Sequence, residues 1–215
     1  MGNIVDDIRA NEDTFADRPF NEVDSLALAQ LSYARMPVNV PRLDAEATDV
    51  DLAMVGVRDL LRAECYDDMF GKVWSPSMNV DLLRAMCESP RWRDLRVGGY
   101  VDEFDPETTK QFSACVFDVG DGSSYVAFRG TDSTIVGWKE DFAMAFRRPV
   151  AAQESAARYL ADIAGRRDGP LMVGGHSKGG NLAVYAAANA PAAVQERLIA
   201  VFCHDAVSYT HLTLP

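Results

Sequence analysis

Residues 174–190, GGHSKGGNLAVYAAANA, constrain this chain more than any other stretch. A short apolar run, Leu171-Met172-Val173, comes just before, and a helical run of Leu, Ala, Val and Tyr follows. Between them, Gly175-His176-Ser177-Lys178-Gly179 fits Gly-x-Ser-x-Gly. Flanked by a strand and a helix, that pattern marks a strained turn with the serine exposed at its tip as a nucleophile. A Cβ two residues before or after the serine would strike the neighbouring strand or helix, which accounts for the glycines. The helix that follows aims its positive end at the serine and favours a developing oxyanion. Two plainer readings stand beside this one: a strand-to-helix turn that only packs, and a phosphate-cradling loop. The second lacks the spacing of a phosphate loop, since Lys178 directly follows the serine.

A second feature lies upstream. Val126-Ala127-Phe128-Arg129-Gly130-Thr131-Asp132 reads as a strand running into a glycine-containing loop. Acyl transfer needs at least two N–H donors aimed at the oxyanion. One comes from the residue after the nucleophile, here Lys178, and the other from a loop after an earlier strand. Thr131 is the candidate for the second, with its hydroxyl as an extra donor. The alternative is an ordinary strand-end turn with Arg129 in a surface ion pair.

The rest of the chain supplies the frame. Its 215 residues suffice for one substantial domain or two small ones. No apolar run approaches the roughly 18 residues of a membrane span, and the acidic start MGNIVDDIRANED lacks the layout of a secretory leader, so a cytoplasmic protein is expected. Net charge is −11, with 22 acids against 12 bases in residues 1–110. Nucleic acid and anionic membrane surfaces are therefore poor partners. Cys65, Cys87, Cys115 and Cys203 are widely spaced, which predicts reduced, mostly buried thiols and no zinc site. No metal cluster, dinucleotide fingerprint or phosphate loop is evident, so no cofactor is expected.

Residues 1–95 read as helical. Asn21 to Asp24 opens a helix running to Tyr33 and stopped by Pro37. Thr48 or Asp49 caps a second, with Leu52, Val55, Leu60 and Leu61 as its apolar stripe. Ser77 or Asn79 caps a third, closed by Pro90. Trp74 and Trp92 read as core or packing residues and not as ligand contacts. From residue 96 the period changes: strands at Gly98–Phe104, Gln111–Val119 and Ser123–Arg129, helices at Gly137–Phe146 and Ala151–Arg166, strand Leu171–Val173, the elbow helix to Asn189, and strand Ile199–Cys203. Strands alternating with helices predict an α/β fold with a mainly parallel sheet covered on both faces.

AFRGTDS, then GWKEDF, then GGHSKGGNLA together resemble the class 3 lipases. They resemble more closely a group of bacterial lipase-like α/β-hydrolases of undefined substrate, as does PFNEVDSLALAQLSY near the start. The resemblance covers residues 1–206. It implies an α/β-hydrolase-like fold, Ser177 as nucleophile, and the backbone N–H groups of Lys178 and Thr131 as the oxyanion hole. Trp138 to Asp141 match the position of a tryptophan-containing lid at residues 132–146, although WKED is more charged than a lipid-seeking lid. His176, inside the elbow, is then a structural histidine whose ring points away from the serine.

Such enzymes carry an acid and then a histidine after the serine. Here only Glu196, Asp205, His204 and His211 follow it, and His204-Asp205 ends the Ile199 strand, too early for that pair. The ending VSYTHLTLP resembles the translation of a transposase-end adaptor used in sequencing libraries. Residues 1–206 are therefore expected to be a C-terminally truncated domain, 207–215 a foreign tail, and the acid and base to lie in a longer natural protein. If the ending is native, His211 is the remaining base. A truncated sheet would end in an exposed apolar edge. The expected function is a serine hydrolase acting on a small-molecule or lipid ester, with this fragment itself inactive. The alternative is a hydrolase-like binding or scaffold protein.

Overall fold

The computed structural model describes residues 2–44, 46, 52–105, 107, 110–131 and 149–206. The expected caps Thr48 and Asp49, the helix and lid segment at 132–146, and the ending 207–215 with His211 lie outside the described residues.

Two caps of one design open the first helices. Asn3 Oδ1 accepts the N–H groups of Val5 and Asp6, and the Asp6 carboxylate accepts the N–H of Asn3, which starts α1 (Ile4–Ala10). Asn21 and Asp24 repeat the arrangement at α2 (Glu22–Leu31). Each pair satisfies helix-end donors reciprocally. Ala27, Leu28, Ala29 and Leu31 are buried on α2, so this helix forms the inner lining of the N-terminal half.

The expected helix over residues 52–61 does not form. The chain instead makes a short strand, β1 (Met54–Gly56), then a 3₁₀ turn at Val57–Leu60. β-branched Val55 and Val57 flank Gly56, which weakens a helix, and the segment gains a partner, pairing antiparallel with Val97 and its neighbours. After α3 (Tyr66–Phe70) comes α4 (Pro76–Glu88). Neither Ser77 nor Asn79 caps α4. Ser75 takes that place, with Pro76 at the first helical position, where its missing N–H costs nothing. Asn79 lies inside the first turn, and its amide donates to the carbonyls of Trp74 and Ser75.

The second half builds β2 (Arg96–Asp105), β3 (Lys110–Asp118), β4 (Ser124–Phe128), α5 (Ala151–Arg166), β5 (Leu171–His176), α6 (Lys178–Asn189), α7 (Ala192–Gln195) and β6 (Leu198–His204). The six strands lie in chain order in one sheet. The expectation of a mainly parallel sheet is corrected: β1 to β4 form an antiparallel meander, and only β4–β5 and β5–β6 are parallel. Connection length decides this. The tight turn between β3 and β4 permits only antiparallel neighbours, while the helical crossovers after β4 and β5 are long enough for parallel ones.

The sheet separates two helical layers. On one face Tyr125, Ala127 and Met172 pack against α1, α2 and α4. On the other, Val126, Phe128, Leu171 and Val173 pack against α5 and α6. Trp92 is buried in the first layer, but Trp74 is 79% exposed, against the expectation that both are core or packing residues. Of the free cysteines only Cys115 is buried; Cys65 and Cys87 are half-buried and Cys203 is exposed. Burial pushes the Cys115 thiol up to about 12. On β6, Ile199 and Val201 are exposed while Ala200 and Phe202 pack inward. Among the described residues no helix is long and apolar enough to cross a membrane.

Candidate active site

Ser177 is the single residue between the end of β5 and the start of α6. Its φ of 55° and ψ of −124° are a conformation that costs a residue with a side chain about 1–3 kcal/mol. The turn is held from two sides. The Ser177 N–H donates to the His204 carbonyl at 2.9 Å, and the Ser177 carbonyl accepts from Gly180 N–H at 3.0 Å. The site thus stands at the carboxyl ends of β4, β5 and β6, where open α/β sheets place their ligands.

The flanking glycines are sterically required. A Cβ on Gly175 would lie 2.4 Å from the Gly179 carbonyl carbon and 2.6 Å from the Phe128 carbonyl oxygen. One on Gly179 would lie 2.1 Å from that same oxygen. The first turn of α6 is therefore pressed against the end of β4, and the register pairs Phe128 with Gly175.

That contact brings the second sequence feature to the elbow. Arg129, Gly130 and Thr131 follow directly from Phe128, and Thr131 is half-buried. The loop is anchored at its start. Arg129 N–H donates to the Ser113 carbonyl at 3.0 Å, and its guanidinium donates to Asp102 at 2.8 Å. The alternative of a surface ion pair is corrected, since the side chains of Arg129 and Asp102 are only 9% and 16% exposed. Arg35 adds a second cation, 3.5 Å from the same carboxylate.

Lys178 has a second part to play. The sequence recommended its backbone N–H, yet its side chain is wholly buried as well. The amine donates to the Gln111 carbonyl at 2.7 Å, which ties the start of α6 to β3. A lysine one residue from a serine looks like surface charge in a sequence, so nothing local signals this.

Two further residues, Tyr33 and Ser25, were not legible as site residues. Tyr33 donates or accepts at His176 Nδ1 over 2.9 Å. Its hydroxyl presses on Gly130, where a Cβ would lie 1.9 Å from it. Tyr33 is thus wedged between the elbow and the Thr131 loop. Ser25 bonds His204 Nε2 at 2.9 Å and the Tyr125 hydroxyl at 2.8 Å. Nothing local signals them: Ser25 lies in the first turn of α2 and Tyr33 two residues past its end. His176 and His204 are register neighbours on β5 and β6. Among the described residues no group of His, Cys, Asp or Glu could hold a metal ion.

Burial, and secondarily the neighbouring His176, lowers the His204 pKa from its ordinary 6.5. The unfolded chain then takes up this proton first as pH falls, so the contribution to stability is full above pH 6.5 and is lost as pH falls through the lowered folded value. Thermal melts between pH 7.5 and 5 should fall less steeply for His204→Gln than for the parent; parallel curves would contradict this.

A family model described as Mbeg1-like matches residues 86–215, more than half of the chain and all of the sheet from β2 to β6. Comparison with curated proteins and with solved structures gives no match. By the span of that match, which takes in both the Thr131 loop and the elbow, the chain belongs to the Mbeg1-like family.

Proposed function

We propose that the protein is a serine hydrolase of the esterase type, with an α/β-hydrolase-like core and Ser177 as nucleophile. The observation that carries this reading is the backbone of Ser177. A non-glycine residue is held at positive φ between a parallel strand and a helix, at the carboxyl edge of the sheet. Strain of this kind persists where the surrounding structure enforces it, and it clusters at reactive sites. Ser177 Oγ attacks the ester carbonyl carbon, and the carbonyl oxygen becomes an oxyanion. The N–H groups of Lys178 and Thr131 receive that charge, helped by the N-terminal end of α6. The alcohol leaves with a proton, and water then releases the acyl group from the serine.

The proton acceptor in this mechanism is a histidine outside the described residues. Both described histidines of the site are committed elsewhere, His176 to Tyr33 and His204 to Ser25. Those commitments also favour the second reading, a hydrolase-like scaffold without turnover. The substrate is an ester small enough to reach the sheet edge, and the setting of the reaction is the cytoplasm.

A fluorophosphonate probe separates the two readings. Serine displaces fluoride at phosphorus and leaves the enzyme labelled. The intact protein should label at Ser177, and Ser177→Ala should lose the label. Labelling that survives Ser177→Ala, or none in the intact protein, favours the scaffold.

A further inference from the structure

One cavity adjoins the elbow without belonging to it. It has a volume of about 350 Å³ and lies among α1, α2 and the start of α4, with His176, the residue before Ser177, in its wall. This volume falls within the roughly 300–1,000 Å³ of small-molecule sites. Ile4, Leu26, Trp74, Met78 and Leu82 supply apolar surface, and no Lys, Arg, Asp or Glu lines it; His176 is its one titratable side chain. Its two amides are already paired: Gln30 donates to Asn79 at 2.8 Å, and Asn79 donates to the carbonyls of Trp74 and Ser75.

The rim is exposed and apolar. Trp74 is 79% exposed, Met78 47% and Leu26 36%. Ser75, next to Trp74, is held at φ 52°, so the fold sustains a strained backbone where the indole is displayed. An apolar rim around a cavity without acidic side chains, Lys or Arg selects an uncharged, flexible hydrocarbon. A phosphate would find no Lys or Arg in the wall.

We infer that this cavity binds the aliphatic chain of the ester's acyl group, so that the substrates are esters of medium-chain fatty acids. The inference rests on the serine-hydrolase reading for the identity of the chain, and not for its binding. His176 is the element shared by the two sites: it lies in the cavity wall and directly precedes Ser177 in the chain.

The test is binding of n-decanol to the Ser177→Ala protein, read by tryptophan emission with Trp74→Phe as the reporter control. Saturable binding is expected, tightening roughly fourfold for each methylene added from butanol upward. Leu26→Asp and Met78→Asp put a carboxylate at the rim, on exposed positions that leave the core intact. Each should weaken decanol binding at least tenfold. Absence of saturation, or affinities unchanged in both variants, would overturn the inference. Fluorophosphonate labelling without decanol binding overturns it while sparing the hydrolase reading. Decanol binding without labelling keeps the chain site and overturns the hydrolase reading.

Discussion

Arg91→Ala is expected to lower the melting temperature by about 10 °C or more, the largest loss from any single side chain outside the elbow. Arg91 is buried together with Asp24, their side chains 1% and 4% exposed. Its guanidinium forks onto both carboxylate oxygens, with Nε 2.8 Å from Oδ1. It also donates to the carbonyls of Asp13, Thr14, Arg18 and Pro19, and stacks 4.0 Å over the Phe15 ring. One side chain thus stitches the 13–24 segment to the connection between α4 and β2. Alanine would strand a buried carboxylate, and removing one partner of such a pair costs about 3–5 kcal/mol. Asp24 also caps α2, so the helix that holds Ser25 and leads into Tyr33 would loosen with it. Arg91→Lys should rescue only part, because an ammonium cannot serve the planar fork and four carbonyls at once. Differential scanning fluorimetry decides the matter, and a melting temperature within 2 °C of the parent, about 1 kcal/mol or less at this chain length, would show that the pair contributes little.

The second large effect is at the elbow. Gly179→Ala should destabilise the protein by about 2–3 kcal/mol through overpacking and abolish fluorophosphonate labelling. The added carbon would meet the Phe128 carbonyl oxygen at 2.1 Å and the Arg129 carbonyl carbon at 3.1 Å, both of them backbone. Backbone cannot swing aside like the end of a side chain, so α6 would have to lift from β4 and carry Lys178 with it. Gly165→Ala is the matched control. A Cβ there meets nothing within 4 Å, on an exposed position of α5. It should stabilise by about 0.5–1 kcal/mol through lower entropy of the unfolded chain. Equal behaviour of the two variants would refute the steric account of the elbow.

Much of the frame was readable from residues near in sequence. The Asn21–Asp24 cap, helix α5 with its bounds at Ala151 and Arg166, the β3–β4 hairpin and the strand–serine–helix order of the elbow all rest on contacts within a few residues. The helix expected over 52–61 failed because a weak apolar stripe was outcompeted by pairing with β2, some 40 residues away. Trp74 misled for a related reason: hydrophobicity argues for burial, yet it lies exposed beside Ser75, which is held at positive φ.

The sequence alone determined where the tight turn lies and why glycine flanks its serine, because a bend of that sharpness is a matter of adjacent φ, ψ and Cβ positions. Only the tertiary structure decided what surrounds it. Arg91 with Asp24, Tyr33 with His176, Ser25 with His204 and Lys178 with Gln111 are each separated by 67 to 179 residues. No periodicity marks such partners. They meet because a helical layer closes over one face of a mixed sheet, and buried polar groups must then find one another across it.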